Sequence, residues 1–405
     1  MSSFPKKILM VMPSVPYPET GAEQADRASG IRQLVRLGCE VRVIAKSVSW
    51  YTSADVQKAE SALGVKIFPV PYRYSNTTLS VRQKAGKFLR KLANPLLLDG
   101  AALEYAEPNI QRVFKEQLEE WQPDIAWFEY TYLWPLYRRA RQLKVKIVTR
   151  SINFEPHHFL QEDGYSFLNF LKVAPKYVSE YIAVRSSSWL FSITPRERKI
   201  YQRLGARNAE VLPLRSLESC MEWRLRRKDQ DEEMDLFFMG STYNVQHNRL
   251  ALEFLLTKVM PLVHQKDPKI KLSIYGAKIP ADLAKHCVGA ICYKGYVEDL
   301  ASSLKDMDIA VVPSLAGAGM QQKIFESLAR GFPVIASRRG MGGYPFEDGR
   351  HLLYADTAAD FADSVLRLKN DRELRFRLGE AAKDLSRRLF SAKALDDIIR
   401  KTLIA

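Results

Sequence analysis

Gly317, Gly319, Lys323 and Glu326 lie in one stretch, VVPSLAGAGMQQKIFESLARGFPVIAS, running from Val311 to Ser337. The pattern reads as a buried strand, a glycine turn, an amphipathic helix, a second turn and another buried strand. Where a strand hands over to a helix, unpaired backbone amides and the positive end of the helix dipole make an anion site. The spacing places Lys323 four residues into that helix, with Glu326 one turn further on the same face. A cation and an acid beside a phosphate-sized hole suit a sugar nucleotide, whose diphosphate and hydroxyls need opposite partners. Taken alone, the two side chains also fit an ordinary helix-surface pair worth about half a kcal/mol.

A second set of reactive residue types follows a predicted strand in RSINFEPHHF: Asn153, Glu155, His157 and His158. An acid such as Glu155 beside a reacting hydroxyl can serve as a base, and a histidine can bond a sugar hydroxyl or take up a proton near neutral pH. Solvated loop residues are the competing reading, more so for His158. Glu129, after PDIAWF, fits an acceptor-side acid or a helix cap equally well. Asp306-Met307-Asp308 has a metal-binding spacing but sits at the entry to a buried strand, so it reads as a helix end and strand start. Cys39, Cys220, Cys287 and Cys292 are scattered without a CxxC pair, which favours reduced thiols over a metal cluster.

These residues need elements to hold them. At 405 residues the chain is too long for one ordinary core. Its first half alternates strand and helix: KILMVMP, a helix from Ala22 to Leu37, EVRVIAK, PDIAWFEY, VKIVTRS and WLFSIT. A polar, heavily charged stretch follows, containing the basic run Trp223 to Lys228, which reads as linker charge. A second alternating series runs through LFFMGS, a helix from Leu250 to His264, KLSIYG, AICYKGY, DIAVVPS and PVIAS, and ends in amphipathic helix from Thr357 onward. Alternation of this kind predicts α/β architecture, with two Rossmann-like doubly wound domains facing a central cleft. The expected divisions are 1–215, a linker at 216–234, a second domain at 235–385, and a last helical segment at 386–405 packing back on the first domain.

The formal charge of +15 calls for an anionic partner: a nucleotide, a membrane surface or a nucleic acid. No aromatic-rich single-strand platform or nucleic-acid motif supports the last. The segment SVRQKAGKFLRKLANPLLL, residues 80–98, interleaves Arg82, Lys84, Lys87, Arg90 and Lys91 with Val81, Phe88, Leu89 and Leu92. Such a basic amphipathic helix fits an anionic membrane surface, and fits equally a helix covering the first domain with its charges in water. No apolar run approaches the roughly 20 residues that span a bilayer. The opening MSSFPKKILMVMP has too short an apolar core for a signal peptide, so the chain is expected in the cytoplasm, with association at the inner face of the membrane as the alternative.

FFMGSTYNVQHNRLALEFL, KLSIYG, YKGYVEDLASSLKDMDIAVVPS, GAGMQQKIFESLARGFPVIAS and EDGRHLLYADTAADFADSV together resemble, in order and spacing, the retaining glycosyltransferases of the GT-B fold, family 4 type (group 1), in the branch with a GxGxxxKxxE pattern. PSVPYPETGAEQADR and RSINFEPHHF extend the resemblance more loosely into the first half. It implies retaining transfer of a sugar from a nucleotide-diphosphate-sugar donor, bound by the second domain, to a glycan or lipid-linked acceptor at the first. Glu326 then corresponds to the glutamate that bonds the ribose hydroxyls, and Gly317, Ala318 and Gly319 to the turn facing the donor. Lys323 matches a lysine of the branch, and Gly240 the loop that closes over the diphosphate. Gly295, Tyr296 and Val297 fall where the base rests, and Asn153 in a loop that touches donor sugar or acceptor.

The sequence departs from that pattern at three places. Ala318 replaces the first motif glutamate, which faces the reacting sugar. The basic pair expected after Gly240 is not cleanly present, and Arg249 is the nearest candidate. The Gly-Gly pair of the acceptor-side loop has become Gly21-Ala22. Lys323, Arg249 and the turn amides are the groups expected to stabilise the departing diphosphate, so no metal and no cofactor are called for. The reading is a transferase of cell-surface polysaccharide or glycolipid synthesis. Its alternative, favoured by Ala318, is a catalytically inert GT-B protein that binds a nucleotide sugar or supports a partner enzyme. A sugar-nucleotide epimerase or a phosphorylase on the same fold matches the second-half pieces less well.

Overall fold

The computed structural model describes residues 6–19, 21–47, 51–71, 80–221, 234–317 and 319–404. The chain divides into two units. The first comprises Met1–Arg215 with Leu395–Ala405, the second Ser216–Ala394.

The first unit is built on β1 (Lys7–Met12), β2 (Glu40–Ser47), β3 (Lys66–Pro71), β4 (Ile125–Glu129), β5 (Lys146–Ser151), β6 (Trp189–Ser192) and β7 (Ala209–Val211). All pair in parallel, in the order β3-β2-β1-β4-β5-β6-β7. The order reverses between β1 and β4, and this is where doubly wound sheets place their ligands. Alternate residues of β1 feed opposite faces. Ile8, Met10 and Met12 join one core cluster, and Leu9 and Val11 the other. That two-sided burial is why KILMVM is apolar without a break.

The second unit holds β8 (Asp235–Thr242), β9 (Lys271–Ala277), β10 (Ile291–Gly295), β11 (Ile309–Val312), β12 (Val334–Ala336) and β13 (Leu353–Tyr354). These too are parallel, in the order β10-β9-β8-β11-β12-β13, with the reversal between β8 and β11. Asp308 secures that junction. Its carboxylate accepts from the Asp235 amide at 2.8 Å, and its own amide donates to the Asp235 carbonyl at 2.8 Å.

Three strands carry no periodic signal. β3, KIFPVP, holds two prolines, which cost little because it lies at the sheet edge. β7 and β13 are too short for alternation to register. At the chain end, the Arg372–Phe390 helix belongs wholly to the second unit, so the segment joining the first is shorter than 386–405. It is the Ala392–Ile404 helix, which drops Leu395 and Ile399 into the first unit's core. Asp396 then accepts from Gln33 at 3.1 Å and Arg36 at 2.9 Å. Most of the expected linker, 222–233 with Trp223 to Lys228, lies outside the described residues. Its start is ordered, since Arg215–Cys220 forms a 3-10 helix.

Candidate donor and acceptor sites

In the second unit the key helix begins at Gln322 rather than in the glycine turn, so Lys323 is its second residue. Gly317 and Gly319 lie in the preceding loop at φ +92 and +75, conformations that an L side chain strains to adopt. Ala318 between them lies outside the described residues. Gln321 caps the helix without a side-chain hydrogen bond, leaving its N-terminus open to an anion. The 3-10 turn Arg338–Met341 presses on this end so closely that a Cβ on Gly340 would lie 2.4 Å from Ile324 Cδ1. The same turn brings the exposed Arg339 to within 3.5 Å of the Gly317 carbonyl.

Lys323 Nζ donates to Asn248 Oδ1 at 2.6 Å and lies over the Phe238 ring at 5.0 Å. Burial pushes its ammonium down from 10.5 to about 7, although the side chain keeps partial exposure. Asn248 in turn donates to the Thr242 carbonyl at 2.9 Å, tying the end of β8 to the lysine. Gly240, expected in a loop, lies within β8 and packs so tightly that a Cβ on Gly276 would sit 2.3 Å from its carbonyl oxygen. Nearby, Ser314 Oγ and Gln322 Oε1 are buried and find no hydrogen-bond partner among the described residues. Such atoms are what a polar ligand satisfies.

Glu326, one turn beyond Lys323, accepts from Arg330 at 2.8 Å. Burial, with the Glu326 carboxylate next in weight, pushes the neighbouring Cys220 thiol up to about 12. Gly295 ends β10 at φ +73 with open space where a Cβ would stand, and Tyr296 beyond it is largely exposed. This lysine, amide, arginine and uncapped helix end can hold a diphosphate, and Glu326 can receive hydroxyls.

In the first unit Asn153 and Glu155 follow β5, and Glu155 opens the Glu155–Asp163 helix. Two buried carboxyls hold this corner. Glu180 Oε1 accepts from the Glu155 amide at 3.0 Å, and Glu197 Oε1 from the Phe154 amide at 3.0 Å. The Tyr201 hydroxyl, with one proton to give, lies 2.6 Å from Ser151 Oγ and 2.9 Å from Glu180 Oε2, while Ser151 donates to the Asn153 carbonyl at 2.7 Å. Burial, then the like charges of Asp99, Glu23 and Glu197, push the Glu155 carboxyl up to about 7 against the pull of Lys176. Glu180 rises to about 8 from burial and the Glu155 charge. His157 is exposed, 3.4 Å from the Tyr177 hydroxyl and edge-on to Phe154, with burial of the ring lowering its value.

Across the β1–β4 junction, Gly21 starts the Ala22–Arg36 helix in extended geometry. One turn on, Arg27 donates to Ser14 at 3.0 Å and Glu23 at 2.9 Å and lies 5.4 Å from the Tyr130 ring. Acids, an arginine and tyrosines therefore line the carboxyl edge of this sheet.

Residues 233–371 match the family model described as "Glycosyl transferases group 1". This unit is a group 1 glycosyltransferase domain. No curated protein matches the sequence as a relative. The whole chain shares its fold with solved structures of low identity. HepE from Anabaena, solved with UDP-glucose, is 13% identical at TM-score 0.66, covering 98% of this chain and 99% of that one. TarM, the S. aureus protein, is 14% identical at 0.70, covering 98% of each. Sucrose-phosphate synthase from Thermosynechococcus elongatus is 14% identical at 0.68, again covering 98% of each. The chain has the GT-B fold.

Two sequence expectations need correction. Arg249 does not face Lys323. It is half-buried and pairs with Asp282 at 2.5 Å, while its neighbour Asn248 is buried, because adjacent residues of the Gln246–Phe254 helix project about 100° apart. Glu129 is not an acceptor-side acid. It is fully buried, accepting from Trp127 at 3.0 Å, Arg150 at 3.1 Å and Arg215 at 2.9 Å. Among the described residues, no group of three His, Cys, Asp or Glu could hold a metal ion. Sequence reasoning passed over Asn248, Arg339 and Ser314. No local pattern marks them: Asn248 meets Lys323 across 75 positions and Arg339 meets Gly317 across 22.

Proposed function

We propose that this protein is a retaining glycosyltransferase, moving a sugar from a nucleoside-diphosphate sugar to a glycan or lipid-linked acceptor of a cell-surface polysaccharide or glycolipid. Lys323 carries the reading. An amine sunk in protein whose one hydrogen-bond partner among the described residues is a neutral amide oxygen is poised to meet the negative charge that develops on a departing diphosphate. With Arg339 and the helix end beside it, protein cations take the part a divalent metal would otherwise play. HepE bound UDP-glucose, and TarM was solved with UDP and the glycan fondaparinux, so relatives of this fold use such ligands. Glu326 receives the ribose, and Glu155, on the first unit, acts as base toward the acceptor hydroxyl. Residues 80–98 meet the anionic inner face of the membrane, where a lipid-linked acceptor resides.

Thermal-shift screening against nucleoside diphosphates and their sugars tests the donor site and names the base. Glu326→Ala should weaken binding of the best nucleotide on the order of 10- to 100-fold, with little change in unfolding temperature. Unchanged affinity would remove Glu326 from the site. Tight donor binding without turnover on any acceptor panel would favour the inert alternative that Ala318 suggests.

A further inference from the structure

The Val81–Ala93 helix buries none of its residues. Its Gln83, Lys87, Arg90 and Lys91 side is half-buried while its apolar side stands in water; isolated helices of this length are marginal in water, so a helix with its apolar face uncovered calls for a partner. It is nevertheless anchored, by a capping box between Ser80 and Gln83 and by Arg90 donating to the Ala106 carbonyl at 3.3 Å. Its sides are distinct. Val81, Phe88, Leu89 and Leu92 fall in one stripe and are each 62% exposed or more. Five basic residues occupy the rest, and no acid occurs between residues 80 and 98.

The sequence reading stopped at this helix, but the structure adds a second apolar segment. In the first turns of the Phe167–Ser186 helix, Phe167, Leu168, Phe170 and Leu171 stand 55 to 78% exposed, with Lys172 beside them. No acid occurs between Gly164 and Ser179. The Pro95–Leu98 turn, with Leu96 and Leu98 exposed, packs against both helices. Asp99, directly after it, accepts from Ser179 at 2.7 Å and Lys176 at 3.4 Å, fixing the long helix to the turn. Apolar area on this scale outside an interface is unusual for a water-facing surface.

We propose that the Val81–Ala93 helix, the Pro95–Leu98 turn and the first turns of the Phe167–Ser186 helix form one docking surface that seats the first unit on an anionic bilayer. The inference rests on the reading of residues 80–98 as a membrane contact and extends it to a second insertion point. Unopposed positive charge around phenylalanine and leucine matches the chemistry of a lipid interface, where rings and leucines enter the headgroup boundary and lysines meet phosphates.

The test is co-sedimentation of the full chain with mixed phosphatidylcholine–phosphatidylglycerol vesicles and with phosphatidylcholine alone. Wild type should partition onto the mixed vesicles. A Phe167→Ser, Leu168→Ser, Phe170→Ser, Leu171→Ser variant should lose on the order of a hundredfold in partitioning, with an unchanged unfolding temperature. Phe167→Trp should show a blue-shifted emission on those vesicles. A Lys84→Glu, Lys87→Glu, Lys91→Glu variant tests the underlying reading separately. If that variant is released while the serine variant stays bound, the second insertion point is wrong and the first helix stands alone. If wild type binds neither vesicle, both fall. If wild type is a dimer in solution that the serine variant splits without altering partitioning, the surface is a self-association face.

Discussion

Replacing Lys323 by methionine separates what the residue costs the fold from what it contributes to binding. Burial takes the ammonium from 10.5 to about 7, which at ~1.4 kcal/mol per unit is at most about 5 kcal/mol. Partial exposure of the side chain discounts this to roughly 2–3 kcal/mol. Methionine keeps the length and the contact with Phe238 but leaves Asn248 Oδ1 without its partner, a loss of about 1–2 kcal/mol. Lys323→Met should therefore be neutral or stabilising by about 1 kcal/mol at pH 7, while affinity for a nucleoside diphosphate falls by at least about 100-fold as a charge-assisted contact is lost. The pH dependence follows from the sign of the shift. Between about 7 and 10.5 the unfolded lysine holds its proton and the folded one does not, so wild-type stability should rise with pH in that window. Diphosphate affinity should fall as pH rises above about 7, because only the ammonium pairs with it. The assay is scanning calorimetry and titration of both proteins across that range, reading the difference between them. A variant that loses several degrees, or keeps its nucleotide affinity, would refute the reasoning.

In the first unit, Glu155→Gln should remove an activity limb that rises through about pH 7 in wild type, where the carboxyl gives up its proton. A rate profile of unchanged shape would exclude Glu155 as the base. Gly30→Ala should destabilise by about 2–3 kcal/mol, because the new Cβ would lie 2.0 Å from Arg215 Nη1. Chemical denaturation measures it, and a midpoint equal to wild type would mean that Arg215 moves aside freely.

The sequence made the long strands and their alternation with helices legible, because a parallel sheet covered on both faces must write continuous apolar runs such as KILMVM and IAVV. It left the edges illegible. β3 tolerates prolines there, and β13 spans only Leu353–Tyr354. Spacing along one helix placed Lys323 and Glu326 a turn apart, as they stand in the Gln322–Arg330 helix, but not the partners each takes, Asn248 and Arg330. It did not distinguish Asn248 from Arg249, since a helix turns 100° per residue and charge drew attention to the wrong side. Glu129 looked reactive for the same reason. Its two arginine partners lie 21 and 86 positions away, and no local pattern announces them.

The treatment of buried charge separates architecture from site in this molecule. Burial alone would raise the Asp26 carboxyl, yet Arg150 and Arg215 outweigh it and hold it at about 2. Asp26 and Glu129 bond both guanidiniums at distances from 2.6 to 3.2 Å. Two acids and two bases leave nothing for a ligand to neutralise, and removing any one would leave a buried charge uncompensated at about 3–5 kcal/mol. That quartet ties β4, β5 and the first helix to Arg215, the last residue of the unit's main segment. Lys323 stands in a different condition. Its polar contact is an amide oxygen, its carboxylate neighbour Glu326 is engaged by Arg330, and the helix end beside it lacks a side-chain cap. A charge balanced within the fold is structural, whereas a lysine held at the edge of deprotonation gains most from an anion arriving from outside. On the proposed reading, the β8–β11 junction is where an incoming diphosphate would complete the electrostatics that the fold leaves open.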